Sequence, residues 1–136
     1  MPRLLGLNLI GVIAASVAFY FVGFLWYGVM FSDAWMAAEG IPAEAAESQS
    51  PVWMAGGFLI TILQVIGIGL VLKWKGVSDL MGSAKVAGIL WFFFALPFCH
   101  YAYLYTPAHN SLLLMIDLSH LLVGWVVSAI ILSFFK

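Results

Sequence analysis

Charge is what this chain has least of. Its 136 residues include five Lys or Arg and six Asp or Glu, 8% of the total, where a soluble domain carries about 25%. A water-facing surface cannot be built from so few charges, so a soluble globular protein is excluded and an integral membrane protein is expected. Cysteine is nearly absent as well. A single Cys99 rules out an intrachain disulfide framework and a Cys-based zinc motif, and its apolar surroundings give it the reading of a small core residue. There is no basic patch, so nucleic acid is not expected as a partner. Enzyme signatures are missing too: no P-loop, no nucleophile elbow and no HExxH. No catalytic residue is therefore assigned. A centre of two His and one Asp would still leave hydrolytic chemistry open.

What the chain does have is apolar length: 65% of its residues are hydrophobic and its mean hydropathy is +1.10. Four runs, at about residues 4–31, 51–74, 83–106 and 111–135, reach the roughly 20 residues that cross a bilayer core as a helix. Lipid offers no partner for backbone polar groups, so each run must be helical. None shows the alternation of a β-barrel strand. Ser50-Pro51 supplies a cap and a first-turn proline. Gly76 stands where a helix end wants positive φ. Pro107 closes the third run, and Asn110 or Ser111 can cap the fourth. The connection "TPAHNS" is short enough to force an antiparallel hairpin, with His109 exposed in it. The start of the chain is basic, then apolar, with small residues at Ser16 and Ala18, as in a signal peptide. Because the apolar run continues to Phe31, it is read as an uncleaved first helix. The expectation is an all-α integral membrane four-helix bundle, one domain over residues 1–136.

The few charges are placed one-sidedly. Arg3, Lys73, Lys75, Lys85 and Lys136 all fall at one end of a four-span arrangement, while Asp33, Glu39, Glu44 and Glu47 fall in the first loop. The positive-inside rule then puts both termini in the cytoplasm, with the chain multi-pass in the inner (plasma) membrane. The 32–50 loop lies outside. It reads as a solvated connector anchored on the membrane surface by Trp35 and Met36, or alternatively as a lid over an outward-facing cavity. Trp26, Tyr27, Trp35 and Trp53 are expected to form an outer aromatic belt, with Tyr101, Tyr103 and Tyr105 toward the same face.

Residues 23–36, "GFLWYGVMFSDAWM", resemble the signature of the bacterial domain-of-unknown-function 1761 family: Gly-x-x-Trp-Tyr, then Phe, then Ala-Trp-Met. Here these are Gly23, Trp26, Tyr27, Phe31 and Ala34-Trp35-Met36. The family often carries a Pro just after the Trp-Tyr pair, where this chain has Gly28-Val29. The resemblance implies a small four-helix membrane protein and supplies no activity, cofactor or functional residue.

Polar residues inside the apolar runs are the candidate site. "MIDLSHLLVGW" puts Asp117 and His120 on one helix face at i,i+3, continued by Gly124 and Ser128, which suit close packing. His100 lies six residues before the end of the third run and Asp117 six residues into the fourth. Each is therefore about 9 Å below the outer helix ends, with Thr61 nearby and Asn8 and Gln64 as weaker candidates. Pro97, one turn before His100, leaves the Phe93 carbonyl without its usual donor. A polar cluster of His100, Asp117, His120 and Thr61 is expected, facing inward. It has three readings. Asp117 pins helices together; or the cluster is a proton or ion relay in a transport, channel or sensing protein; or His100, Asp117 and His120 hold a metal. The partners expected are the lipid bilayer, a second copy of the chain through faces such as Gly11/Ala15 and Gly67, and a small molecule or ion.

Overall fold

In a computed structural model, residues 2–31, 33, 37, 51–105 and 111–135 are described. Among them, four helices are long and apolar enough to cross a membrane: Leu9–Met30, Met54–Lys75, Leu80–Tyr105 and Ser111–Phe134. This is the make-up of a multi-pass membrane protein. Their outward faces agree, since large apolar side chains such as Ile13, Phe21, Leu63, Phe94 and Phe98 stand exposed along them. Only lipid or another apolar surface can cover such residues.

The first span starts later than its hydropathy indicates. Arg3–Leu4 (β1) and Leu7–Asn8 (β2) form a two-stranded antiparallel hairpin, and helix α1 runs Leu9–Gly23. The turn has both central residues at positive φ, Leu5 at 53° and Gly6 at 81°, the geometry of a type I′ hairpin turn. Asn8 then caps α1, its side chain accepting from the backbone N–H of Ile10 and Gly11 at 2.9 and 3.3 Å. Hydropathy cannot see this boundary, because Leu4, Leu5 and Leu7 are as apolar as the helix that follows.

The second span is α2, Pro51–Lys75. It ends at Gly76, whose φ of 73° allows Val77 N–H to reach Leu72 O and Gly76 N–H to reach Lys73 O, the paired bonds of a Schellman cap. Asp79 caps α3, Leu80–Leu90, which continues through a π-helical segment, Trp91–Ala95, into α4, Leu96–Tyr105. The fourth span is α5, Ser111–Phe134. A second π-helical segment, Phe24–Met30, extends α1 to the end of the first span.

α5 is the hub. It packs most against α1 and α3 and also touches α2 and α4, whereas α1 packs against α2 and α5, and α2 and α3 barely meet. The core lies between α1, α2, α3 and α5, with Ala15, Phe19, Val65, Ala87 and Ala129 fully buried. Gly124 is what lets α1 and α5 approach, since a Cβ there would overlap the Phe19 ring. Buried hydroxyls are satisfied within their own helices: Ser16 donates to Val12 O and Ser128 to Gly124 O, each at 2.7 Å. Gly11 and Ala15, expected to be available to a second copy, are buried inside the chain instead, Gly11 lying against Phe135. Gly67 remains open, with nothing within 4 Å of a Cβ placed on it.

Two of the basic residues meet at one end of the molecule. Lys73 at the end of α2 reaches Leu5 O at 3.4 Å. Leu132 of α5 lies against Gly69, and Phe135 against Gly11. The start of the first span, the end of the second, the start of the third and the end of the fourth therefore share one end of the molecule. Arg3 and Lys73 stand there together.

Candidate functional site

At the opposite end, the fourth-span stretch Asp117–His120 is gripped from two sides. Tyr27 donates its hydroxyl to Asp117 Oδ1. Trp26 donates its indole N–H to Ser119 Oγ at 2.9 Å, and Ser119 in turn donates to Ile116 O at 3.0 Å. From the third span, Trp91 donates its indole N–H to Leu118 O at 2.8 Å. Three consecutive residues, 117, 118 and 119, thus each receive a ring-borne donor from a neighbouring span.

Local structure makes this possible. Trp26 and Tyr27 are adjacent in sequence, and an ordinary α-helix would point them well apart. They sit in the π-helical segment Phe24–Met30, whose looser i→i+5 turn brings successive side chains closer around the axis. Phe31 N–H reaching back to Trp26 O at 2.9 Å closes that segment. Trp91 opens the other π-helical segment, closed by Leu96 N–H bonding to Trp91 O. The cause lies two residues on. Pro97 cannot donate to the carbonyl four residues back and its ring would clash with it, so the preceding turn widens.

Gly23 completes the contact. A Cβ at Gly23 would stand 3.2 Å from His120 Nε2, so a side chain there would crowd the imidazole. His120 stacks edge-on to Tyr27, ring centroids 5.0 Å apart, and tilts against Phe19 at 5.6 Å. The Gly-x-x-Trp-Tyr stretch of the first span and the Asp-Leu-Ser-His stretch of the fourth are therefore two halves of one contact: Gly23 with His120, Trp26 with Ser119, Tyr27 with Asp117.

Beside this contact lies a cavity of about 500 Å³. Tyr27, Asp117 and His120 form part of its wall, with Phe19, Tyr20 and Phe24 adding aromatic surface and Thr61 a hydroxyl. Thr61 donates to Gly57 O at 2.9 Å, and Tyr20 to Met54 O at 3.2 Å. Phe24 of the first span and Met54 of the second, both more than half exposed, add apolar surface to the cavity.

Of the expected cluster, Asp117, His120 and Thr61 stand on one cavity wall. His100 is not on that wall. Its Nδ1 turns back to Leu96 O at 2.6 Å, which occupies that nitrogen on its own helix, and its ring lies near Tyr103. Among the described residues, no group of three His, Cys, Asp or Glu comes together as a ligand set for a metal. Gln64 bonds elsewhere, accepting from Trp125 Nε1 at 2.8 Å, and Asn8 is a helix cap at the far end. Trp26 and Tyr27, expected as belt residues, direct their polar atoms to the fourth span. Tyr101 and Tyr105 stand exposed near the end of the third. Trp35, the side chain of Trp53, and the 106–110 link with Pro107, His109 and Asn110 lie outside the described residues. Tyr20, Phe24 and Trp91 also belong to the site, and nothing in the sequence sets them apart from the other aromatic residues of the apolar runs.

A family model described as "Protein of unknown function (DUF1761)" matches residues 10–133. No curated protein and no solved structure matches the chain.

Proposed function

The chain belongs to the DUF1761 family, and on that premise we propose that it is a small-molecule transport or sensing protein whose ligand is an organic cation held in the Asp117 cavity. One observation carries this reading. A carboxylate and an imidazole stand on the wall of a roomy cavity whose other surface is aromatic and apolar. A carboxylate among hydrophobic spans is costly unless paired or hydrated. A cation would supply the pairing charge, ring faces attract it, and an apolar remainder would suit Phe24 and Met54. Access from the bilayer would suit the exposed Phe24 and Met54 of the first two spans. The positive-inside rule puts the Arg3 and Lys73 end in the cytoplasm, so the cavity belongs to the outer leaflet of the inner membrane, with both termini cytoplasmic.

A second reading has its own support. The donors from Tyr27, Trp26 and Trp91 to residues 117–119 would by themselves pin three spans together, with Asp117 an internal fastener. Asp117→Asn separates the two, because the amide oxygen still accepts from Tyr27. Binding of a radiolabelled tetraalkylammonium to protein in nanodiscs is the measurement. The ligand reading expects binding in the wild type and a loss of at least about tenfold in Asp117→Asn with the melting temperature kept. Binding equal in both proteins overturns it. A lower melting temperature with no binding in either protein leaves the fastener.

A further inference from the structure

The basic end holds a second cavity, unrelated to Asp117. It has a volume of about 200 Å³ and lies between the Arg3–Asn8 hairpin, the end of α2, the start of α3 and the end of α5. Its size admits several waters or one small anion, a water taking about 30 Å³ of liquid volume. Arg3 and Lys73 are both on its wall. Neither meets a carboxylate among the described residues. Arg3 donates to Gly6 O at 3.1 Å and Lys73 to Leu5 O at 3.4 Å, so two full charges rest on the neutral carbonyls of one tight turn. Asp79, the nearby acid of the α2–α3 link, is turned to its own helix, accepting from Gly82 N–H at 2.8 Å, and is not on the wall.

An independent observation points the same way. Ser83, on the same wall, is fully buried, and its hydroxyl is the one buried side-chain polar atom among the described residues with no hydrogen-bond partner. The other buried serines show what is missing: Ser16, Ser128 and Ser133 each donate to a carbonyl of their own helix. A buried hydroxyl with no partner is unfavourable, and an arriving acceptor would satisfy it. Two cations and one free donor are a receptor for an oxyanion.

We propose that this cavity binds a phosphate oxyanion, with Arg3 and Lys73 supplying charge and Ser83 a hydrogen bond. The phosphate is either that of an anionic phospholipid headgroup or a free one. Leu4 and Leu5, exposed beside the two cations, would lie among acyl chains while the headgroup sits in the cavity, the arrangement expected of a basic pocket between spans on the cytoplasmic side.

The test uses the full chain, purified and reconstituted in nanodiscs of phosphatidylcholine alone or with phosphatidylglycerol. Retained lipid is read by native mass spectrometry and the melting temperature is followed. A separate arm titrates inorganic phosphate in phosphatidylcholine. Selective retention of phosphatidylglycerol is expected. Arg3→Gln and Lys73→Gln should each weaken it roughly fivefold, Ser83→Ala should weaken it further, and Lys75→Gln, at the same end but off the wall, should leave it intact. Stabilisation by inorganic phosphate alone, lost in Lys73→Gln, assigns the site to a free anion. Equal retention of both lipids with no response to phosphate overturns the proposal, as does an equal loss in Lys75→Gln and Lys73→Gln. If Ser83→Ala fails to fold, the charge variants, whose side chains are exposed, still decide.

Discussion

The clearest single residue is Tyr27. Its hydroxyl bonds to Asp117 across two spans, and its ring carries the edge-on His120. Tyr27→Phe removes the hydroxyl and keeps the ring. Interhelical hydrogen bonds in membranes average near 0.6 kcal/mol and reach about 1.7, so a loss of about 1 kcal/mol is expected, read by denaturant titration in mixed micelles. An unchanged midpoint would mean that Asp117 finds an equivalent donor. Gly124 offers the complementary test. A Cβ there overlaps the Phe19 ring, so Gly124→Ala should cost about 1–3 kcal/mol by overpacking. Adding Phe19→Leu to Gly124→Ala should recover part of that loss if the clash is the cause.

At the scale of the element, the informative features are those where helical regularity breaks. Leu5 adopts φ 53°, a region that costs an ordinary L-residue roughly 1–2 kcal/mol and that Asn tolerates better. Leu5→Asn should therefore raise stability by up to about 1 kcal/mol, seen as a higher melting temperature. A lower one would show that the Leu5 side chain contributes more through apolar contact than the turn loses. Pro97 governs the third span in the same local way. Pro97→Ala restores the missing N–H, so the turn at Trp91–Ala95 should tighten toward α-helix and Trp91 should leave Leu118 O. In a chain whose other tryptophans are replaced by Phe, a shift in Trp91 emission on making Pro97→Ala would report it; identical spectra with and without the substitution would detach the π-helical turn from the proline. These breaks are also the features least visible in the sequence. Hydropathy points to the four apolar spans, and Gly76 has the positive φ expected of it. The hairpin of residues 3–8 was invisible because it is as apolar as the helix after it. The π-helical segments were invisible because hydrogen-bond register leaves no trace in hydropathy.

For the whole molecule, the distribution of charge is the lever. Cysteines introduced in the 39–48 segment of a Cys99→Ala chain should react with an impermeant thiol reagent added from outside. Reaction only after the cytoplasmic face is exposed would invert the topology and move the Asp117 cavity to the inner leaflet. A second copy remains a proposal with a narrower basis, since Gly11 and Ala15 are taken up inside the chain. The open Gly67 and the exposed Phe93, Phe94 and Phe98 are among the apolar surfaces available to it. A detergent-corrected mass of twice 14.9 kDa is the expected result, and a single-chain mass at every concentration would count against a dimer. The four apolar runs were enough to indicate a membrane protein of four helices, because lipid leaves the polar backbone few ways to satisfy its hydrogen bonds. The sequence also marked Asp117 and His120, because charge among apolar residues demands a reason. Only the tertiary structure decided what answers them. Gly23, Trp26 and Tyr27 lie far along the chain from Asp117–His120, and no periodicity connects the two stretches. It also decided that His100 turns to Leu96 O of its own helix and not to the Asp117 wall, and that Ser83 meets no partner among the described residues. Spacing along one helix sets the faces of that helix, but contact across helices is set by how all of them pack at once.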